Sequence, residues 1–179
     1  MRLAVVSDTH LGFARGPPRK TDAFFQAKQA FEGIARQSPD AIIHPGDFFD
    51  HKIPLPEVWS ECFDLFSLLR GAKQSNVKVT HFPRHENESV FTYRGIPLIG
   101  IAGTHEYRSK DFKNAQQLLH AGHFMVNLHA SHVLIEKEGE KVAVHGMAGI
   151  PEKRALEALR LYNPQPLPGT HNLLVLHQS

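Results

Sequence analysis

The chain has 179 residues and a net charge of +2, and its apolar (41%) and charged (21%) fractions are ordinary for a soluble globular protein. That length suits one domain with a sizeable core. The near balance of acids and bases gives no independent sign of a nucleic-acid or membrane partner, although a balanced total can hide a basic groove. No stretch approaches the ~20 apolar residues of a membrane span. The single cysteine, Cys62, excludes an intramolecular disulfide and favours a reducing, cytoplasmic compartment.

Short apolar runs alternate with amphipathic segments early in the chain, and several consecutive strand patterns follow them. In chain order the predicted elements are a strand at Leu3–Val6, a helix at Ala23–Gln37, a strand at Ala41–Ile43, a helix at Pro56–Gln74, strands at Val77–Phe82 and Ile96–Ile101, a helix at Phe112–His120, strands at Phe124–Leu128, Val133–Glu136 and Lys141–His145, a helix at Pro151–Tyr162 and a strand at Leu173–Leu176. The run at Leu3–Val6 is typical of a central strand covered on both faces, and Leu173–Leu176 of a last buried strand. Glu138 and Gly139 predict a hairpin turn. This order of elements predicts an α/β domain with two packed sheets and outer helices.

The helix predicted over Pro56–Gln74 has an apolar face that is wider than one core contact needs. Its apolar residues include Trp59, Cys62, Phe63 and Phe66. Two interpretations stay open at this point. The helix is clamped between layers of the fold, or it also meets a partner subunit.

Four of the predicted strands end in residues that can carry chemistry. Asp8 and His10 follow the first strand, Asp47 the second, residues 104–106 the third, and His177 the last. In open α/β sheets ligands gather beyond the carboxyl ends of strands, so we expect these groups to converge although they are far apart in sequence. Asp8 and His10 are separated by one residue, which points both side chains to the same side of an extended backbone.

This set of side chains predicts a site for divalent metal ions. Carboxylates and imidazoles without a thiolate suit manganese, iron or zinc. Asp47 could bridge two ions ~4 Å apart, which is the arrangement used for in-line attack on phosphorus. Each motif alone is a weak signal, because a lone Asp-x-His is usually structural and a strand-end histidine is usually a packed core residue. The prediction depends on their joint occurrence, each at the end of a strand.

The segments SDTHLG, PGDFFD, GTHE and LHQS occur in this order along the chain. Together they resemble the motifs of the calcineurin-like metallophosphoesterase superfamily. Within it, DTHLG, GDFFD, VHGMAGIPE and LVLHQS are most similar to the SbcD-type nucleases that repair DNA double-strand breaks. The resemblance spans nearly the whole chain. It implies a four-layer αββα sandwich of two mixed β-sheets flanked by helices, two Mn²⁺ ions (with Fe, Zn or Mg as alternatives), and cleavage of DNA phosphodiesters.

The resemblance also implies which residues serve the two metals. Asp8 and His10 would hold the first ion, and Asp47 would bridge both. Thr104 and His177 would serve the second ion.

Two further residues receive roles from the same resemblance. His105 would hydrogen-bond the scissile phosphate or protonate the leaving oxygen, and it would be held by neighbours that include Glu106. His51 lies just beyond GDFFD, close enough in sequence to contact a phosphate.

Two features depart from the family pattern. The family usually has asparagine at the position of Thr104, and a threonine hydroxyl is a shorter and poorer neutral donor than a carboxamide oxygen, so we expect the second metal to bind weakly. The family also has a Gly-His-x-His motif after the position of His177, whereas this sequence stops at Ser179. We therefore expect residues 1–179 to be the N-terminal part of a single, C-terminally incomplete nuclease domain that binds metal poorly and cleaves slowly.

The leading hypothesis is a metal-dependent exo- or endonuclease that processes DNA ends in double-strand-break repair. The resemblance implies DNA as the substrate, a coiled-coil SMC-like ATPase as a partner, and a homodimer, for which the Pro56–Gln74 helix is the candidate contact. We also expect a cytoplasmic protein, nucleoid-associated if its source is prokaryotic, without a membrane partner. Two alternatives remain: a phosphoesterase that acts on small molecules or phosphoproteins, and a non-catalytic scaffold that binds DNA ends or an ATPase.

Overall fold

The fold is given by a computed structural model, which describes residues 1–14, 16–108 and 112–178. The elements in chain order are β1 (Leu3–Val5), α1 (Asp22–Gln37), β2 (Ala41–His44), α2 (Pro56–Gly71), β3 (Lys78–Phe82), β4 (Ser89–Val90), β5 (Leu98–Gly100), α3 (Ala115–Ala121), β6 (Val126–Asn127), β7 (Ser131–Lys137), β8 (Glu140–Met147), α4 (Glu152–Tyr162) and β9 (His171–Leu176). None of the helices in the described ranges combines the length and apolarity that a bilayer crossing requires.

The first sheet has the strand order β1-β2-β5-β6, and all three of its pairings among the described residues are parallel. The carboxyl ends of its strands therefore lie at one edge. Every residue of β2 is buried, because both faces of this strand are covered. β1 is an edge strand, and its Val5 is 67% exposed. The prediction that Leu3–Val6 forms a central strand covered on both faces is thus wrong, since a short apolar run does not encode its place in the sheet.

The second sheet has the order β4-β3-β7-β8-β9 and is mixed: among the described residues, β8–β9 is its one parallel pair. The β7–β8 hairpin turns at Glu138 (φ 51°) and Gly139 (φ 86°), as predicted, and two consecutive positive φ angles match the twist of the strands. β9 pairs with β8 alone in the described chain. Its Leu173 and Leu174 are 41% and 49% exposed, so the prediction of a buried last strand is wrong for these residues.

Two apolar cores separate the layers. One lies between α1, α2 and α3 and the first sheet, and the other lies between the two sheets. Consecutive residues of β2 divide between them, because Ile42 belongs to the first core and Ile43 to the second. α4 flanks the second sheet, where the Tyr162 hydroxyl donates to the carbonyl of Ser131 at 2.7 Å. The helix–sheet–sheet–helix order confirms the predicted αββα fold class. The prediction that both sheets are mixed is wrong for the first sheet, whose described pairings are all parallel.

Two helices differ from their predicted bounds by more than one residue. α2 ends at Gly71 rather than Gln74, because Ala72 is already extended. α3 begins at Ala115 rather than Phe112. Asn114 caps it by accepting a hydrogen bond from the Gln117 backbone N–H while the Gln117 side chain returns to the Asn114 N–H.

The wide apolar face of α2 is used mostly inside the chain. Cys62, Leu65, Phe66 and Leu69 are buried in the first core, whereas Phe63 is 42% exposed. This distribution favours a helix clamped between layers and leaves one aromatic side chain on its outer surface.

His81 gives the stability of this fold a defined pH dependence. The side chain is buried on β3, and its Nε2 lies 3.4 Å from Ser131 Oγ. Burial, together with the neighbouring His120 and His132, lowers the pKa of His81 to about 4. The unfolded chain takes up this proton near pH 6.5 and the native chain does not, so stability is full above pH 6.5 and falls as the pH drops toward 4.

We expect His81→Asn to flatten the pH dependence of the free energy of unfolding between pH 7.5 and 5. For one such histidine, the free energy of unfolding falls by about 1.4 kcal/mol for each pH unit below 6.5 inside this window. Urea unfolding at several pH values measures it. His85→Asn, in the exposed loop after β3, should behave as wild type. A His81→Asn protein with the wild-type slope would show that this histidine does not titrate as inferred.

Candidate metal centre

The loops after β1 and β2 run side by side beyond the ends of their strands. Backbone N–H groups of the first loop donate to carbonyl oxygens of the second at 2.9–3.1 Å: Val6 to Ile43, Asp8 to Gly46, His10 to Asp47, and Leu11 to Phe48. The parallel pairing of the sheet therefore continues as a ladder between loops. This ladder holds Asp8 and His10 against Asp47.

Three residues of this ladder have left-handed backbone conformations. They are Asp8 (φ 56°), His10 (φ 44°) and Asp47 (φ 50°). For residues that carry a Cβ, such conformations cost about 1 kcal/mol or more each, and they cluster where the direction of a side chain matters to function. The hydrogen bonds between the two loops hold the backbone in this strained form.

The side chains of three strand ends meet around Asp47, which is 3% exposed. Asp47 Oδ2 lies 3.9 Å from His10 Nε2 and 3.2 Å from His177 Nε2. Asp8 Oδ1 lies 3.8 Å from the same His10 nitrogen. The structure thus brings together the two carboxylates and two imidazoles that the sequence predicts as neighbours.

Hydrogen bonds orient both imidazoles toward the carboxylates. His177 Nδ1 donates to the Pro45 carbonyl at 2.9 Å, which leaves its Nε2 as an acceptor facing Asp47 Oδ2. His10 Nδ1 bonds Asp50 Oδ1 at 3.1 Å, and its Nε2 faces Asp8 and Asp47. Metal-ligating histidines are held in this way by the other ring nitrogen.

The spacing of these donor atoms fits a divalent cation. Two acceptors 3.2 Å apart repel each other unless a cation or proton lies between them. Donors that are each ~2.1 Å from one ion lie roughly 3 Å apart at right angles and roughly 4.2 Å apart across it. The distances of 3.2–3.9 Å around Asp47 fall in that range.

Two glycines allow this close approach. Gly46 has φ 112°, and a Cβ there would lie 2.4 Å from His177 Nδ1. A Cβ on Gly103 would lie 2.0 Å from Asp47 Oδ1. The end of β5 therefore packs directly against the carboxylate at the middle of the centre.

His105 lies at the mouth of the centre. Its backbone N–H donates to Asp47 Oδ1 at 3.0 Å, and its ring meets the His10 ring edge to face at 4.8 Å. Its Nδ1 lies 3.1 Å from the carbonyl oxygen of Asp50, which leaves Nε2 for a substrate. Its side chain is 48% exposed and lines a cavity of about 330 Å³ together with Asp8 and Arg19.

Asp50 is a residue of the centre that the sequence predictions missed. Its Oδ1 lies 3.1 Å from His10 Nδ1 and 3.6 Å from His105 Nδ1, so one carboxylate contacts both rings. His10, Asp50 and His105 also form a second, overlapping group whose donor atoms lie within 4.8 Å of one another. The signal was present in GDFFD, where a second carboxylate follows Asp47 by three residues.

Glu106 supports the centre from the interior of the protein. It is fully buried and accepts hydrogen bonds from Phe49 N (3.2 Å), Gly103 N (2.9 Å) and Gln116 Nε2 (2.7 Å). Burial raises its pKa to about 7 against the opposing effect of these bonds. The carboxylate joins the loop after β2 to the loop after β5. Its contact with the loop that carries His105 runs through the backbone N–H of Gly103, and its part in holding His105 stays a prediction.

Thr104 and His51 lie at the borders of the centre. Thr104 is half-buried between Gly103 and His105, and its carbonyl accepts from Tyr107 N at 3.3 Å. His51 Nε2 lies 3.4 Å from Asp50 Oδ2, and the residue lines a neighbouring cavity of about 240 Å³ rather than the mouth.

Residues 1–177 match the family model of calcineurin-like phosphoesterases. The chain belongs to the calcineurin-like phosphoesterase family. Family membership implies a divalent metal, and the donor set around Asp47 fits one.

Three curated relatives are similar over nearly the whole chain. The double-strand break repair protein MRE11 of Encephalitozoon cuniculi is 23% identical over 200 residues, which cover 100% of this chain and 34% of that protein. The double-strand break repair protein mus-23 of Neurospora crassa is 24% identical, covering 100% of this chain and 28% of its own length. The DNA double-strand break repair protein Mre11 of Methanosarcina acetivorans is also 24% identical, over 99% of this chain and 25% of its own length. The chain spans about a quarter to a third of the length of these relatives.

Asp8→Asn tests whether these side chains bind a cation. We expect Mn²⁺ to raise the melting temperature of the wild-type chain over that in EDTA, by roughly 5–10 °C at a hundredfold excess over Kd. Asp8→Asn should lose most of this shift, because it removes a charged donor. In EDTA it should melt no lower than wild type, because it also reduces repulsion with Asp47.

Asp64→Asn, on the exposed face of α2, is the matched control and should keep the full Mn²⁺ shift. Calorimetry of the three proteins with and without metal makes the comparison. An unchanged shift in Asp8→Asn would exclude this carboxylate as a ligand.

Proposed function

We propose that the chain is the metal-dependent phosphodiesterase part of a protein that processes DNA ends in double-strand-break repair. The observation that carries the proposal is the convergence of Asp8, His10, Asp47 and His177 beside the exposed His105. The second support is the similarity, over nearly the whole chain, to double-strand break repair proteins of a microsporidian, a fungus and an archaeon.

The proposed cofactor is a pair of Mn²⁺ ions. Asp8 and His10 would hold one ion, Asp47 would bridge, and Thr104 and His177 would serve the other. When bound, the ions would supply Lewis acidity that neutralises charge on the phosphate and activates water. The two oxygens of the Asp47 carboxylate have different neighbours: Oδ1 accepts from His105 N, whereas Oδ2 faces both imidazoles. This division supports a bridging role.

His105 is the proposed acid of the reaction. Its Nε2 would donate to the scissile phosphate or to the leaving oxygen, which needs a ring held in one orientation. The Asp50 carbonyl accepts from Nδ1 and sets that orientation. The Asp50 carboxylate, 3.6 Å from the same nitrogen, would stabilise the ring while it carries its second proton.

The proposed partners are DNA, a coiled-coil SMC-like ATPase and a second copy of the chain, and the proposed location is cytoplasmic, at the nucleoid. The resemblance of the motifs supports the first two. The outer surface of α2 supports the third, because Phe63 is exposed there and its ring contacts those of Trp59 and Phe124 at 5.8 and 5.1 Å. An exposed aromatic side chain of this kind is a typical anchor of a subunit contact.

His105→Asn tests the proposed reaction. We expect cleavage of a fluorescent DNA oligonucleotide in Mn²⁺ to fall by roughly 10²–10⁴-fold, while the Mn²⁺ shift of the melting temperature is retained. His51→Asn should lose less than roughly tenfold, because its ring lies outside the mouth. His85→Asn should cleave as wild type.

The substrate class is decided by comparing DNA with bis(p-nitrophenyl) phosphate and p-nitrophenyl phosphate on the same protein. A nuclease cleaves DNA and the diester and leaves the monoester. Preferential hydrolysis of the monoester would replace the proposal with a small-molecule or phosphoprotein phosphatase. Mn²⁺ binding without cleavage of any of the three substrates would favour the alternative of a DNA-end-binding scaffold.

Thr104→Asn tests the role given to the second metal. A carboxamide oxygen reaches further than a hydroxyl and is the better neutral donor, so we expect the Mn²⁺ concentration for half-maximal cleavage to fall by roughly tenfold. Thr92→Asn, at an exposed position, is the control. An identical Mn²⁺ dependence in both variants would remove Thr104 from the proposed ligand set.

A further inference from the structure

A second cavity of about 360 Å³ adjoins the metal centre. Gly103 and Tyr107, at the two ends of the loop that carries His105, both line it, so this loop separates it from the mouth. Gly103 belongs to both sites, because it also packs against Asp47 Oδ1. On the far side, a Cβ on Gly149 would lie 2.8 Å from the carbonyl carbon of Gly103. Only one layer of backbone therefore stands between this cavity and the predicted ligands.

The cavity is suited to an anion. Arg108 and Arg154 line it, and no carboxylate is found among the described residues of its wall. Arg108 is held in place, because its Nη1 donates to the Lys113 carbonyl at 2.9 Å and its guanidinium lies 4.9 Å from the centre of the Phe112 ring. A planar guanidinium that is already ordered binds phosphate oxygens with little further loss of conformational freedom.

The same wall carries exposed aromatic surface. Tyr107 is 44% exposed and Phe112 is 58% exposed, and they flank Arg108 along the chain. Aromatic rings beside an ordered arginine form the stacking platforms on which proteins hold unpaired bases. Binding of phosphate alone does not require such rings.

We propose that this cavity binds one unpaired nucleotide of the strand that is cut. Its phosphate would lie on Arg108 and Arg154, and its base would lie against Tyr107 and Phe112. The assignment to a cut strand rests on the proposed function, whereas nucleotide binding itself does not.

The test uses binding without chemistry. A 5′-phosphorylated trinucleotide with 2-aminopurine at its centre is titrated with the whole chain in EDTA, and quenching of the fluorescence reports stacking of the base. We expect saturable quenching by wild type. Arg108→Gln combined with Arg154→Gln should weaken binding by roughly tenfold for each arginine, and Phe112→Ala should remove most of the quenching.

Arg160→Gln, on the exposed last turn of α4, removes one positive charge away from the cavity and should stay within about twofold of wild type. Circular dichroism and the Mn²⁺ shift of the melting temperature establish that each variant is folded. Competition separates the sources of the ligand. If the cavity binds a nucleotide within a strand, unlabelled trinucleotide should displace the probe better than dAMP does. If it binds free nucleotides, dAMP should displace the probe equally well. In either case, displacement by inorganic phosphate should be weaker.

Wild-type affinity in the double arginine variant, or displacement by inorganic phosphate as strong as by the trinucleotide, would overturn this inference. The outcome is separable from that of the proposed function. Mn²⁺-dependent DNA cleavage with an unchanged KM in the double variant would reject the cavity and keep the nuclease. Arginine-dependent trinucleotide binding in a protein that cleaves no DNA would reject the nuclease and keep the nucleotide site.

Discussion

The whole site depends on the placement of one buried carboxylate, that of Asp47. One of its oxygens accepts from the backbone of His105, and the other faces the imidazoles of His10 and His177. Three chain segments that are far apart in sequence therefore contact one carboxylate. The cost is visible in the left-handed backbone of Asp8, His10 and Asp47 and in the buried Glu106, whose pKa rises to about 7 because its surroundings exclude water. A cation among these donors would offset the repulsion that the arrangement creates.

The convergence of Asp8, His10 and Asp47 could be predicted from the sequence because it follows from a geometric rule, that the carboxyl ends of parallel strands lie at one edge of a sheet. His177 follows β9 of the second sheet, so its approach to Asp47 depends on how the two sheets pack together. The part played by Asp50 was missed. GDFFD shows a second carboxylate three residues after Asp47, but its position under both histidine rings depends on the ladder between the two loops, which leaves no periodic trace in the sequence.

The fold shows the same division between local and tertiary information. α1 and the β7–β8 hairpin were predicted well, since their amphipathic spacing and turn residues are local signals. The edge positions of β1 and β9 were missed, because an apolar run reads the same at the centre of a sheet as at its edge. The start of α3 was missed for another reason: the capping pair of Asn114 and Gln117 outweighed the apolar Phe112 that precedes it.

Anomalous diffraction from crystals soaked in Mn²⁺ tests the central claim most directly. The account predicts two peaks that share Asp47 as a ligand: one about 2.2 Å from His10 Nε2 and beside Asp8, and the other about 2.2 Å from His177 Nε2. A fully occupied ion bound elsewhere, or one held only by His10, Asp50 and His105, would contradict it.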